Sequence, residues 1–269
     1  MIKLSAILPH SPILIPNIGK KNSAILKKTA DSFAKIQEEI INKEIDTIII
    51  ISPHRPGLRD ISLNNHFQFK ISFDEFGDYL SKTRLYGNLT LSYNLKEEVE
   101  PDFYPILKAE NKPDHGTNIP LYLLLTKNNQ IIKEFRGKII IINTSTEKDL
   151  NYHFNFGKKI AQRLEEAGEK IAIIASAELS HCLSHNAPGG FYQKAVLFDE
   201  ETIKNLKKGP VGTEEILKTD PKLALEAKEC GLRPISLLLG IIDHLPYKAE
   251  TLSYQKELGV GYLSMKMYG

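Results

Sequence analysis

Three histidines stand just past apolar runs, and histidine suits both metal ligation and proton transfer near neutral pH. His10 follows SAILP, His54 follows IIIISP and His181 follows IAIIASAELS. In open α/β sheets, ligands gather outside the carboxyl ends of the strands. If these runs are neighbouring parallel strands, the three imidazoles point into one crevice. Pro9 and Pro12 bracket His10, and Pro53 and Pro56 bracket His54. Proline fixes φ and removes a backbone donor, which ends a strand and stiffens the turn that presents a ligand. The reading is therefore a site for one divalent metal, built around His10 and His54. The bland alternative is that Pro-His only ends a strand, and spacing alone does not decide between the two.

The elements that would position these residues alternate between strand and helix. Lys3 to Leu8, Asp46 to Ser52, Lys138 to Thr144 and Lys170 to Ser176 are continuous apolar runs, as expected of strands buried on both faces. Between them, residues 22–42 and 147–167 carry apolar side chains near a 3.6-residue period and read as amphipathic helices, the second ending at Gly168. Asn118 to Lys127 reads as a short helix, as do Asp199 to Lys207 and Pro234 to Leu245. Asp220-Pro221 has the form of an N-cap followed by proline at the first helical position. Glu250 to Tyr254 and Gly259 to Met267 read as closing strands. Residues 60–112 are polar and mixed, and an irregular insertion with some antiparallel pairing is expected there. The sum is an α/β layered fold with a mostly parallel or mixed central sheet flanked by helices, a single domain over residues 1–269.

Composition narrows the function class. The 269 residues are 42% hydrophobic and 25% charged with a formal net charge of +2, and the charges are interspersed. That leaves no basic face for nucleic acid or membrane. The start, MIKLSAILPHSPILIP, is broken by prolines and lacks a secretory pattern. With only two cysteines and no CxxC spacing, a reducing cytoplasm is expected.

Six segments carry a resemblance that runs the length of the chain: LPHSPILIP, ISPHRP at 51–56, DHGTNIPLYLL at 114–124, ASAELSHCLSHNAPGGF at 175–191, ECGLRPISLLLG at 229–240 and SYQKELGVGYL near the end. In their order and spacing they resemble the catalytic subunits of the class III extradiol ring-cleaving dioxygenases. They resemble still more closely the dioxygenase-like AmmeMemoRadiSam group, which includes the Memo proteins.

The resemblance implies roles residue by residue. His10 and His54 match two iron ligands. The third ligand falls in Glu229-Cys230-Gly231. A carboxylate from Glu229 would complete a facial triad with open positions on iron(II), whereas Cys230 matches a metal-binding cysteine of the Memo type. General ligand preference favours Glu229; its alternative is to cap a turn, with Cys230 simply buried. His181 matches the histidine proposed as catalytic base, and His115 a second active-site histidine that positions substrate or oxygen. The relatives usually carry aspartate or a similar short residue where this chain has Glu178. His185 could neighbour His181 on a helical turn, and residues 186–190 read as a mobile cover. His66, His153 and His244 fall in no motif and read as ordinary core or surface histidines. Arg55, Arg59 and Arg233 are near the right motifs to meet a substrate carboxylate, although Arg55 directly follows His54 and would face away on an extended chain.

The functional expectation is an iron(II)-dependent extradiol dioxygenase that cleaves a catechol-type ring with O2. The competing readings are a Memo-like metal-binding protein without that activity, acting with separate AmmeMemoRadiSam partner proteins, and a zinc hydrolase. Zn2+ and Mn2+ are the alternative metals. A small aromatic substrate and a homodimer are the expected partners, and any further domain is expected on a separate polypeptide.

Overall fold

The computed structural model describes residues 1–54, 59–127 and 130–269. Pro56 and Arg55, singled out above, lie outside the described residues. Strand β1 (Ile2–Leu8) leads through a short helix α1 (Pro16–Gly19) into α2 (Lys27–Asn42) and strand β2 (Thr47–Ser52). After β3 (Ser62–Asn64), β4 (Gln68–Phe73) and β5 (Asp78–Tyr86) come helix α3 (Leu89–Val99) and β6 (Ile106–Lys108). Helix α4 (His115–Leu125) precedes the small hairpin β7 (Thr126–Lys127) and β8 (Gln130–Ile131), then β9 (Lys138–Asn143), α5 (Leu150–Glu166) and β10 (Ile171–Ser176). Helices α6 (Ala195–Lys207), α7 (Thr213–Leu217), α8 (Pro221–Ala227) and α9 (Leu232–Ile242) run into the closing strands β11 (Glu250–Gln255) and β12 (Tyr262–Tyr268).

The main sheet has eight strands in the order β11-β12-β1-β10-β2-β9-β3-β6. The middle four, β1, β10, β2 and β9, are parallel, while β12 and β3 join on either side antiparallel. The mixed α/β sheet flanked by helices is the fold class read from the sequence. The unbroken isoleucine runs follow from burial on both faces. Ile49, Ile51, Ile140, Ile142 and Ile173 face α5 and α9, while Ile48, Ile50, Ile139, Ile141 and Ile174 face α2 and α4.

The order of the middle strands decides the site. In the chain β10 comes last of the four, yet it lies between β1 and β2. His10 and His54 therefore leave the sheet on either side of the strand that leads to His181. Such a place, where the winding of the sheet changes, opens a crevice at the carboxyl ends.

The region from 60 to 112 is more regular than expected. β4 and β5 form an antiparallel hairpin, with Phe69, Ile71 and Phe73 turned into the core. β3 and β6 extend the main sheet. Helix α3 adds to the elements read from the sequence. Asn88 caps it by accepting from the Leu91 N–H, and Leu91, Leu95 and Val99 are buried at four-residue spacing.

His153, on α5, is buried, in line with its reading as an ordinary core histidine. Its Nδ1 donates to the Asp149 carbonyl at 2.6 Å and its Nε2 accepts from the Ser145 N–H at 3.1 Å. Burial, against the pull of the Asp149 carbonyl, brings its pKa down to about 4 from 6.5. Between those values the unfolded chain binds a proton that the folded chain refuses. Stability from this group is thus intact above pH 6.5, falls as the pH drops, and levels off below about 4, a loss of up to about 3 kcal/mol. Denaturant unfolding of the wild type across this range should show the decline, and His153→Gln should make it shallower, buried His10 and His54 contributing the rest; an unchanged slope in the variant would refute the assignment.

Candidate metal centre

Three of the four middle strands end in a polar residue, and these form the platform of the site. Ser176 ends β10, Ser52 ends β2 and Asn143 ends β9, and Ser52 is paired with Asn143 across the sheet. Ser176 takes charge of His10. Its hydroxyl donates to the Gly116 carbonyl at 2.5 Å, so it accepts from His10 Nδ1–H at 2.8 Å. That arrangement puts the imidazole proton on Nδ1 and leaves the Nε2 lone pair bare.

His54 Nε2 lies 2.7 Å from that bare nitrogen, and the two rings stand edge to face. The His115 ring stacks on His54 with centroids 4.4 Å apart. His10, His54 and His115 thus form one cluster of possible ligands. Burial first, then the neighbouring imidazoles, holds His10 well below its ordinary value, and burial with His115 and His181 holds His54 down to about 4. Near pH 7 both are neutral, the form that binds metals.

Asp114, which the sequence reading passed over, locks the platform to α4. It caps the helix by accepting from the Thr117 N–H at 3.0 Å, and also accepts from the Ser52 hydroxyl at 2.6 Å and Asn143 Nδ2 at 3.0 Å. The close approach requires glycine at 116: a Cβ there would stand 2.5 Å from Ser52 Oγ and 3.1 Å from the His54 ring. Asp114→Ala removes the cap and leaves Ser52 and Asn143 without their acceptor. It should cost about 3 kcal/mol. Denaturant unfolding would measure this, and a cost below about 1 kcal/mol would contradict the platform role.

A second cluster shares His10 and adds Glu178 and Cys230. Cys230 Sγ lies 3.5 Å from His10 Nε2, and Glu178 Oε2 lies 3.9 Å from it. Glu178 is buried, and its Oε2 also accepts from His181 Nε2 at 3.1 Å. Burial lowers the pKa of His181, but the bond and charge of Glu178, with the carbonyls of Leu179 and Lys228, outweigh it, so the net shift is upward. The loop is pinned from three sides: Leu179 N–H donates to the Gly261 carbonyl, His181 N–H to that of Ala227, and Ser180 N–H to Asp199 Oδ1. Burial raises Asp199 to about 6.

Glu229 goes elsewhere. Its Oε2 accepts from the Leu232 N–H at 2.7 Å, capping the start of α9, and it lines a cavity of about 890 Å³ with Arg233 and Lys148. Of the two third-ligand candidates, Glu229 is engaged at the helix N-terminus, while Cys230 is the one whose side chain meets His10. The alternative reading, a cap on a turn, is the one its geometry matches. Arg233 donates to the carbonyls of Lys148 and Thr146. His185 packs on the Phe191 ring rather than on His181. In the loop at 186–190, Gly189 N–H donates to the His181 carbonyl, and Gly190 N–H to that of Ala187.

The family described as the catalytic LigB subunit of aromatic ring-opening dioxygenase matches residues 4–263. The chain belongs to this family. A Clostridium acetobutylicum protein designated CA_C1420 is 33% identical over 272 residues, covering 97% of this LigB-family chain and 56% of that protein. The chain therefore spans little more than half of that relative's length. The crystal structure of the uncharacterized protein JW3007 from Escherichia coli K12 matches with a TM-score of 0.66 at 20% identity, covering 99% of this chain and 100% of that one. At that identity the likeness concerns the fold. Among the described residues no helix is long and apolar enough to cross a membrane.

Proposed function

We propose that this chain is a non-haem iron(II)-dependent ring-opening dioxygenase acting on a catechol-type aromatic. The observation that carries the reading is the pair of neutral Nε2 atoms of His10 and His54 facing each other at 2.7 Å beside the His181–Glu178 pair. The donors fit a divalent ion. His10 presents a lone pair that no proton occupies, and a buried carboxylate and a thiol converge on the same nitrogen. His10 and His54 would hold the metal, with Cys230 beside them. Bound iron(II) supplies a centre where aromatic diol and oxygen meet, making an inner-sphere reaction of an otherwise spin-forbidden encounter.

The chain's own residues handle positioning and protons. His181 accepts a proton from a substrate hydroxyl, and the Glu178 carboxylate stabilises the resulting imidazolium; the same imidazole later returns the proton. His115, with its side chain 30% exposed, lies edge-to-face with Phe76 and offers an aromatic wall against which a ring can settle.

A second reading has support in one contact. The 3.5 Å approach of Cys230 Sγ to His10 Nε2 suits a Memo-like metal-binding protein without ring-cleaving activity, because a thiolate favours softer metals. The test is anaerobic reconstitution with iron(II), addition of 4-nitrocatechol, and spectra before and after oxygen is admitted. A spectral shift before oxygen, then chromophore loss with stoichiometric oxygen uptake, is the expected result. Stoichiometric metal that never engages the catechol would sink the dioxygenase reading for this substrate class and favour the Memo-like one.

A further inference from the structure

Three possible donor atoms converge on one place. His10 Nε2 is bare because Nδ1 holds the imidazole proton for Ser176. Glu178 Oε2 faces it at 3.9 Å and Cys230 Sγ at 3.5 Å. An ionised carboxylate only accepts, so it gains nothing from a bare nitrogen. Its other oxygen, Oε1, is buried and has no hydrogen-bond partner among the described residues, and no lysine or arginine pairs with Glu178 among them. A buried acceptor without a donor is costly and calls for an explanation such as a bound ion.

The backbone holds the carboxylate in place. Cys230 N–H donates to the Glu178 carbonyl at 3.3 Å, and a Cβ on Gly231 would come within 2.8 Å of that same oxygen. The two segments are thus drawn together, so that residues 178 and 230 reach His10 from one side. His181 fixes the carboxylate rotation through Oε2. Glu229 is placed differently, its Oε2 accepting from the Leu232 N–H at the start of α9.

We propose that Glu178 is a metal ligand in this chain, alongside His10 and Cys230, with the carboxylate arriving from the loop after β10 rather than from the start of α9. This rests on the reading of the site as a metal centre. A mixed nitrogen, oxygen and sulfur set still leaves positions open on an octahedral ion, and His181 becomes the residue that positions a ligand as well as a proton carrier.

Cobalt(II) is the probe, because its visible bands report coordination number and its near-ultraviolet bands report thiolate ligation. Metal-free protein is titrated anaerobically as wild type, Glu178→Gln, Glu178→Asp, Glu229→Gln and His10→Ala. Loss of a residue that only orients a ligand weakens metal binding by about 10–100-fold, so loss of a ligand in Glu178→Gln should weaken it by at least about 100-fold and alter the visible bands. Glu229→Gln should leave affinity and spectrum unchanged. Glu178→Asp keeps the charge but shortens the reach, and should shift the spectrum even if the glutamine variant does not fold. Wild-type bands and affinity in Glu178→Gln, or in Glu178→Asp should the former not fold, overturn the assignment. So does a large effect at Glu229 alone. If the wild type takes up no cobalt, or His10→Ala takes up as much, the metal-centre reading itself fails, and this proposal with it.

Discussion

His10→Ala is expected to leave a folded protein that no longer retains a metal. His10 is the one residue common to both ligand clusters, so its loss dismantles either set. Its lone pair is also the best prepared in the site, since Ser176 and the Gly116 carbonyl hold the tautomer that exposes Nε2. Wild-type protein loaded with iron(II) and desalted should carry about one metal per chain, and the variant none. Ser176→Ala should show a milder version, with the ring free to turn and affinity about 10–100-fold weaker. Metal content by elemental analysis decides the matter, with the far-ultraviolet circular dichroism of the variant as the check on folding. Full retention of metal by His10→Ala would refute the proposed centre.

The second large effect is on rate. His181→Ala should slow ring opening by about 10²–10⁴-fold, the usual contribution of a positioned acid or base, while about one metal per chain is still retained. Two features support a proton-handling role over mere packing. The imidazole is paired with a buried carboxylate at 3.1 Å, and its pKa is net raised by that partner although burial opposes it. Reactive imidazoles paired with an orienting carboxylate accept protons and are stabilised once charged. Removing His181 should therefore lower turnover and remove the corresponding limb from the pH–rate profile. Unaltered turnover with the reconstituted enzyme would end this assignment.

The contrast between His10 and Glu229 shows how far the sequence carries. His10 and His54 were legible because proline-histidine turns directly after unbroken apolar runs place a side chain at a strand's carboxyl end. The run is sufficient; no partner needs to be known. Glu229 and Cys230 are adjacent, and adjacency cannot say which of two neighbours turns inward. That depended on a backbone N–H at the start of α9 that claimed the Glu229 carboxylate. Glu178 stood out in the sequence only as a departure from its relatives, because its significance lies in its approach to His10 from far along the chain.

The platform beneath the histidines had a signal that went unused. IIIIS, KIIIIN and IAIIAS each close an apolar run on a polar residue; three such endings suggest side chains that bond to something above the sheet. Asp114 could have been found as the residue before a helix start, where carboxylates favour capping, although its links to Ser52 and Asn143 could not. Helix α3 was legible in the spacing of Leu91, Leu95 and Val99, but the polar residues around it hid the stripe.

By itself, then, the sequence determined the layered α/β class, the strands and helices that bear the site, and the two histidine turns. These follow from local rules: burial periodicity, proline geometry and helix capping act over a few residues. The tertiary structure decided that β10 enters between β1 and β2, which brings Ser176 beneath His10 and Glu178 beside it. It also decided that Cys230 meets His10 while Glu229 caps α9. Those choices depend on strand order and on competition for buried hydrogen-bond partners, and both are settled only when distant segments pack together.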